Sequence, residues 1–255
     1  MRLTGPGIIG PPPDRPEALR VLRRALELGV NFIDTADSYG PHVNEEVIAE
    51  ALYPYPKGLV IATKAGLERP GPHQWKTNGN PVHIRAACEG SLTRLRVDRI
   101  DLFQLHRIDP AVPEADQFGV LADLRREGKI GLIGLSETDV AAIERARKVL
   151  PIVSVQNRYN VVDRGSEPVV DYCEQHGLAF LPWYPLGAGT LPEDGPLSRV
   201  ARKHKATPIQ MAIAWLLARS PIMLPIPGTS KVKHLEENMA AAAIRLDAED
   251  LQSLS

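Results

Sequence analysis

Asn31-Phe32-Ile33-Asp34-Thr35-Ala36-Asp37-Ser38-Tyr39-Gly40 reads as a short apolar strand that stops on an acid and then turns. Residues 31–33 supply the strand, Asp34 ends it, and the polar turn carries a lone Tyr39 before Gly40. Two later apolar runs stop in the same manner, residues 59–63 on Lys64 and residues 100–105 on His106. Such runs are largely apolar at successive positions, not alternate ones. That is the pattern of strands covered on both faces, as in a parallel sheet wrapped in helices.

Working outward, helical patterns separate the strands. Asp14 with Glu17 three residues on makes a capping-box arrangement, and Ala18, Leu22, Ala25 and Leu26 give one apolar face before Gly29. Asn44 is placed to cap a second helix with Val47, Ile48, Ala51 and Leu52 as its buried stripe. Helices are expected over 82–95, 120–126, 140–148, 167–176, 209–219 and 232–242. Strands are expected over 130–135, closing on Ser136, over 152–155, closing on Gln156, and over 178–183 and 223–226. Seven strand–helix units in succession predict a (β/α)8 TIM barrel forming one domain over residues 1–255, with the active site at the C-terminal strand ends. No G-x-G-x-x-G follows a strand, which argues against a Rossmann domain. Only residues 1–4 precede the first helix as candidate strand, so the first strand is expected to be short or incomplete, below the usual ~5–6 residues.

Composition narrows the function. Among 255 residues, 44% are hydrophobic and 24% charged, with a net charge of −1, which fits a globular protein with a sizeable core and gives no electrostatic case for nucleic acid or an anionic membrane. No apolar run approaches the ~20 residues of a membrane span, and the opening lacks a signal-peptide core. Cys88 and Cys173 give neither a disulfide framework nor a metal spacing. The expected location is cytoplasmic.

The barrel topology puts Asp34, Tyr39, Lys64 and His106 on one rim, although each alone has a bland reading as turn former or strand end. A free phenol titrates near 10, and an adjacent ammonium favours the phenolate and is expected to lower that value. Asp34 would hold Lys64 in place and charged, while His106 would orient a substrate oxygen. The set suits proton donation to a carbonyl oxygen as hydride reaches its carbon, and it offers no nucleophile for acyl transfer.

The stretch 29–40 resembles the signature of the aldo-keto reductase superfamily, and so do Ala62-Thr63-Lys64, residues 101–106 ending on His106, and Ile226-Pro227-Gly228-Thr229-Ser230. The resemblance runs along essentially the whole chain. It implies a (β/α)8 fold, reduction of aldehydes or ketones with NADPH, and a tetrad of Asp34, Tyr39, Lys64 and His106 with Tyr39 as general acid. It also implies cofactor contacts from Ser136 and Gln156 to the nicotinamide carboxamide and from Trp183 to its ring. Tyr184, Leu186 and Gly187 would lie over the pyrophosphate. In the adenosine-phosphate segment from Gly228, Thr229, Ser230, Lys231 and His234 would meet the 2′-phosphate, and Glu237 and Asn238 the adenine. Glu137 stands where many members have Asn, and Gly228 and His234 where many have Lys and Arg, so NAD(H) stays open beside NADP(H). Members also begin with a hairpin and a full first strand, so this chain is expected to be shortened at its start. Trp75 lines the substrate pocket or anchors its loop, both readings being open, and Trp215 is expected in the core.

The implied partner is a small carbonyl compound, the implied state a monomer. A catalytically weak nicotinamide-nucleotide-binding protein of the same fold is the alternative. Metal-dependent hydrolysis is a distant third, because His42, His73 and His83 lack H-x-H or H-E-x-x-H spacing; no metal is expected.

Overall fold

The computed structural model describes residues 1–186 and 195–254. They form two compact units, one of residues 1–153 with 228–232, the other of residues 154–227 with 233–255.

The first unit is built on four parallel strands. Its first helix, α1 (Arg15–Glu27), is capped by the Asp14 carboxylate, which accepts the Glu17 N–H at 3.0 Å, and buries Ala18, Val21, Leu22 and Ala25. Strand β1 (Phe32–Asp34) pairs with β2 (Val60–Ala65), Asp34 lying opposite Ala62. A two-stranded hairpin, β3 (Leu67–Glu68) with β4 (Lys76–Thr77), follows β2 directly and was not legible in the sequence. Next come β5 (Ile100–Leu105), with Gln104 opposite Lys64, and β6 (Ile130–Ser136), with Leu135 opposite Leu105. Burial of Ile61, Ala62, Phe103, Leu105, Ile133 and Leu135 confirms that these strands are covered on both faces.

Helices α2 (Val43–Leu52), α3 (Pro81–Leu95), α4 (Glu114–Arg126) and α5 (Val140–Arg147) alternate with them. Asn80 and Asp139 cap α3 and α5 through their side chains. The expected capping of α2 by Asn44 does not occur. His42 holds the cap position with φ 72°, and Asn44 is a buried first-turn residue whose amide donates to the Thr35 hydroxyl at 2.8 Å. Helix α4 starts six residues earlier than the apolar spacing suggested, because acids at 114 and 116 suit the positive end of a helix. Before α1 there is a 3₁₀ turn, Pro6–Ile8, and a single bridge from Ile9 to Gly40, and no strand.

The chain enters the second unit within β7 (Ile152–Gln156), which pairs in parallel with β8 (Ala179–Phe180). The strand expected over 178–183 is shorter than predicted. Its pairing with β7 continues through Leu181 N–H to the Val155 carbonyl and Trp183 N–H to the Asn157 carbonyl, while Pro182 has no N–H to give on the opposite side, where Phe180 donates to the Ile222 carbonyl. The strand expected over 223–226 is one bridge, Phe180 to Met223, with the Leu224 N–H donating to the Phe180 carbonyl, and Pro225 follows directly. Helices α6 (Glu167–His176), α7 (Pro196–Lys203), α8 (Pro208–Arg219), α9 (Val232–Ala240) and α10 (Ala248–Ser253) complete the unit. The helix expected over 232–242 passes into a 3₁₀ turn at Ala241–Ala243. Trp215 is in the core as expected, stacked on Tyr159 with ring centroids 5.6 Å apart. No helix among the described residues is long and apolar enough to cross a membrane.

Candidate active site

The strand registers of the first unit bring Asp34, Lys64 and His106 to neighbouring C-terminal strand ends. The Lys64 ammonium, fully buried, donates to the Asp34 carboxylate at 2.6 Å and to the Thr35 carbonyl at 2.7 Å. The second Asp34 oxygen accepts the Gln104 amide at 3.0 Å. Gln104 is a site residue that sequence reading passed over. Its signal was there, since a residue two before His106 on a strand shares its face.

Tyr39 is also buried, at 8% exposure, and the Lys64 nitrogen lies 5.2 Å from the centre of its ring. Its ring meets His106 edge-to-face at 5.8 Å and Trp75 at 6.3 Å, and Trp75 meets His106 at 6.2 Å. Trp75 is therefore part of this cluster, and it is 40% exposed where the others are buried. Gly40, directly after Tyr39, has φ 107°, a region that L side chains avoid, and a Cβ there would meet Val43 Cβ at 2.7 Å.

Electrostatics assign a protonation state to each group. Burial pushes the Tyr39 phenol above its ordinary value, against the pull of Lys64. That reverses the lowering expected from the ammonium alone, because desolvation of a phenolate outweighs one attractive charge. Burial draws Lys64 down, but Asp34 and Tyr39 more than offset this and leave it raised and charged. Burial and the charges of Lys64 and Arg107 hold His106 well below its usual range, so the ring is neutral. Its Nδ1 is buried without a partner. In the same turn, burial and the nearby Glu45 raise Asp37 to about 7. The arrangement is thus a neutral phenol and a neutral imidazole beside a fixed ammonium–carboxylate pair. It can donate a proton and then stabilise the phenolate left behind.

The candidate cofactor residues fall in both units. In the first, Ser136 is buried at the end of β6 and its hydroxyl accepts from Arg107 at 3.3 Å. Glu137 follows with φ 51°. Gly228 is exposed; Thr229 accepts the Lys231 N–H at 3.1 Å, and Ser230 and Lys231 are exposed. Two carboxylates reach this segment. Glu17 accepts the Val232 N–H at 3.0 Å, and Asp14 lies 4.0 Å from the Lys231 ammonium. In the second unit, Gln156 is buried at the end of β7, and the guanidinium of Arg158 lies 5.9 Å from the Trp183 ring and 5.0 Å from that of Tyr184. Leu186 is half-buried, and Gly187 lies outside the described residues. On α9, His234 is exposed, the Glu237 backbone carbonyl accepts from the Gln210 side-chain amide at 3.0 Å, and Asn238 is buried. No group of three or more His, Cys, Asp or Glu poised for a metal occurs among the described residues.

The buried acid–lysine pair thus lies beside a phenol and an imidazole, groups that can hold and pass a proton. The comparisons give the family. The chain belongs to the Aldo/keto reductase family, whose model matches residues 1–255. It is a (β/α)8 barrel protein and an NAD(P)H-dependent enzyme of that family. It is 53% identical over 250 residues to an uncharacterized oxidoreductase of Schizosaccharomyces pombe, covering 98% of this chain and 81% of that protein. It is 44% identical over 260 residues to pyridoxine 4-dehydrogenase of Escherichia coli, covering 100% and 91%. Among solved structures, a thermostable aldo-keto reductase in complex with the inhibitor epalrestat matches with a TM-score of 0.87 at 30% identity, over 99% of this chain and 92% of that one. An aldo/keto reductase of Klebsiella pneumoniae in complex with NADP and acetate matches with a TM-score of 0.82 at 26% identity, over 94% and 84%.

Proposed function

We propose that the chain, acting as one domain, reduces an aldehyde or ketone to an alcohol with NADPH, Tyr39 serving as general acid. The observation that carries this reading is the buried Lys64–Asp34 pair beside the buried Tyr39 phenol. The donor chemistry of the chain suits a dinucleotide phosphate: the Ser136 hydroxyl and Gln156 amide for the carboxamide, the Trp183 indole for the ring, and Tyr184, Leu186 and Gly187 for the pyrophosphate. Gly228, Thr229, Ser230, Lys231 and His234 suit the adenosine phosphate, and Glu237 and Asn238 the adenine. NADP or NADPH in the Klebsiella pneumoniae relatives supports the same cofactor. When bound, the cofactor supplies hydride to the carbonyl carbon.

Everything else falls to the side chains. Neutral His106 orients the carbonyl oxygen by a hydrogen bond. Tyr39 then gives its proton to that oxygen as charge develops on it. Lys64, held charged by Asp34, stabilises the phenolate, and Gln104 fixes Asp34. The raised Tyr39 value keeps the phenol protonated at neutral pH and makes it a weaker acid, so donation relies on Lys64 to stabilise the phenolate. The E. coli relative acts, by its name, on pyridoxine, so pyridoxal belongs among the first aldehydes to test. The small carbonyl substrate is the one partner proposed, for a monomer in the cytoplasm.

Tyr39→Phe is the test. The variant should bind NADPH as the parent does and lose carbonyl reduction by a factor of about 10²–10⁴, the usual contribution of a general acid. Retained turnover would refute the role given to Tyr39. Saturable NADPH binding by the parent without reduction of any carbonyl would favour a nucleotide-binding protein instead.

A further inference from the structure

Among the described residues, one charge beside this cluster has no counterpart. Arg69, between β3 and β4, is 9% exposed, and its guanidinium carbon lies 3.8 Å from the centre of the Trp75 ring. One of its nitrogens donates to the Gly7 carbonyl. The other two, Nε and Nη1, are buried without a hydrogen-bond partner. Burial lowers the guanidinium, and no carboxylate among the described residues is near enough to raise it. A desolvated cation without a counter-charge is costly, and the face of an indole offsets only part of that cost. The same indole meets Tyr39 and His106 in T-shaped contacts, so the unbalanced charge stands one aromatic ring away from the proposed reacting groups.

We propose that Arg69 and Trp75 form an anion subsite of the substrate pocket, which selects carbonyl compounds that carry an oxyanion group on a planar body. The planar body lies against Trp75, the carbonyl reaches Tyr39 and His106, and the oxyanion accepts from the two free donors of Arg69. Arg suits this task because its planar fork stays charged when desolvated and stacks on aromatic rings. The proposal rests on the reduction reading above, and the experiment separates the two.

The full chain with NADPH is offered 4-carboxybenzaldehyde and its methyl ester, which differ in charge and share the reacting aldehyde. The parent should favour the acid in kcat/KM by about 10- to 100-fold, the range of a charge-assisted hydrogen bond. Arg69→Met should bring that ratio close to one by raising KM for the acid, with turnover of the ester kept within about threefold. Arg69→Lys should restore part of the ratio. Equal use of acid and ester by the parent would overturn the proposal, and so would an Arg69→Met variant that loses both substrates alike, the result of a merely structural role. If neither aldehyde is reduced, the reduction reading fails. A benzoate titration of tryptophan fluorescence then decides the subsite: binding abolished by Arg69→Met supports it, and no binding by the parent overturns it.

Discussion

Asp37 offers the sharpest test of the electrostatics of the turn that carries Tyr39. Its side chain is buried, its Oδ1 has no hydrogen-bond partner, and burial and Glu45 raise its pKa from 3.8 to about 7. A carboxyl whose folded value is raised binds its proton more tightly in the folded state. Its contribution to stability is therefore fully present below pH 3.8 and is lost as pH rises through about 7. A shift of about three units at ~1.36 kcal/mol each sets a ceiling of about 4 kcal/mol on the cost of the buried charge at pH 8. Asp37→Asn removes that charge at nearly constant shape but leaves a buried amide short of partners, at about 1–3 kcal/mol. The net expectation is a gain of about 1–3 kcal/mol at pH 8, falling to zero or below at pH 5. For a chain of this size that is a rise in Tm of about 2–10 °C at the higher pH. Thermal unfolding of parent and variant at pH 5, 6.5 and 8 reads the effect. The same stability difference at every pH, or a variant less stable than the parent at pH 8, would refute the reasoning.

Glu45 is fully buried and binds Arg94 at 2.7 Å and the Thr63 hydroxyl at 2.5 Å, so Glu45→Gln leaves a partly buried guanidinium unpaired and should cost about 2–4 kcal/mol in urea unfolding. Because Glu45 also raises Asp37, the Asp37→Asn gain should shrink in the Glu45→Gln background. Gly40→Ala forces a side chain into a positive-φ position against Val43 and should lower Tm by at least about 4 °C, with a loss of kcat from the displaced Tyr39. Lys64→Met should cut kcat by about 10²–10⁴ while NADPH titration still saturates, since the ammonium serves the phenolate.

Much of this was legible before any coordinates. Strands that end on Asp34, Lys64, His106, Ser136 and Gln156 could be read because an apolar run stopped by one polar residue marks both a strand and its end. The helices were legible from apolar spacing and, at Asp14, from a capping side chain. Three kinds of feature escaped. The short pairings around Pro182 and Pro225 look like strands by composition, and a proline inside such a run demotes it. The hairpin of β3 and β4 is too brief for periodicity to register. The direction of the Tyr39 shift needed burial, which sequence does not state: Lys64 was visible, but the desolvation that outweighs it was not. Gln104 shares a strand face with His106 and so had a local signal, whereas nothing local marks the partners that Arg69 meets.

The hairpin separates two jobs that reductases must both do. Asp34, Lys64, Gln104 and His106 belong to strand ends locked in parallel register, whereas Trp75 and Arg69 ride on a ribbon closed upon itself by the Leu67–Thr77 and Glu68–Lys76 pairings. The ribbon is tied to the chain before α1 through the Gly7 carbonyl, which accepts from Arg69 and from the His73 N–H. If the proposed subsite holds, substrate choice can change within residues 69–75 while the proposed proton-donating groups stay on the strand ends, and a library confined to those residues is where retargeting begins.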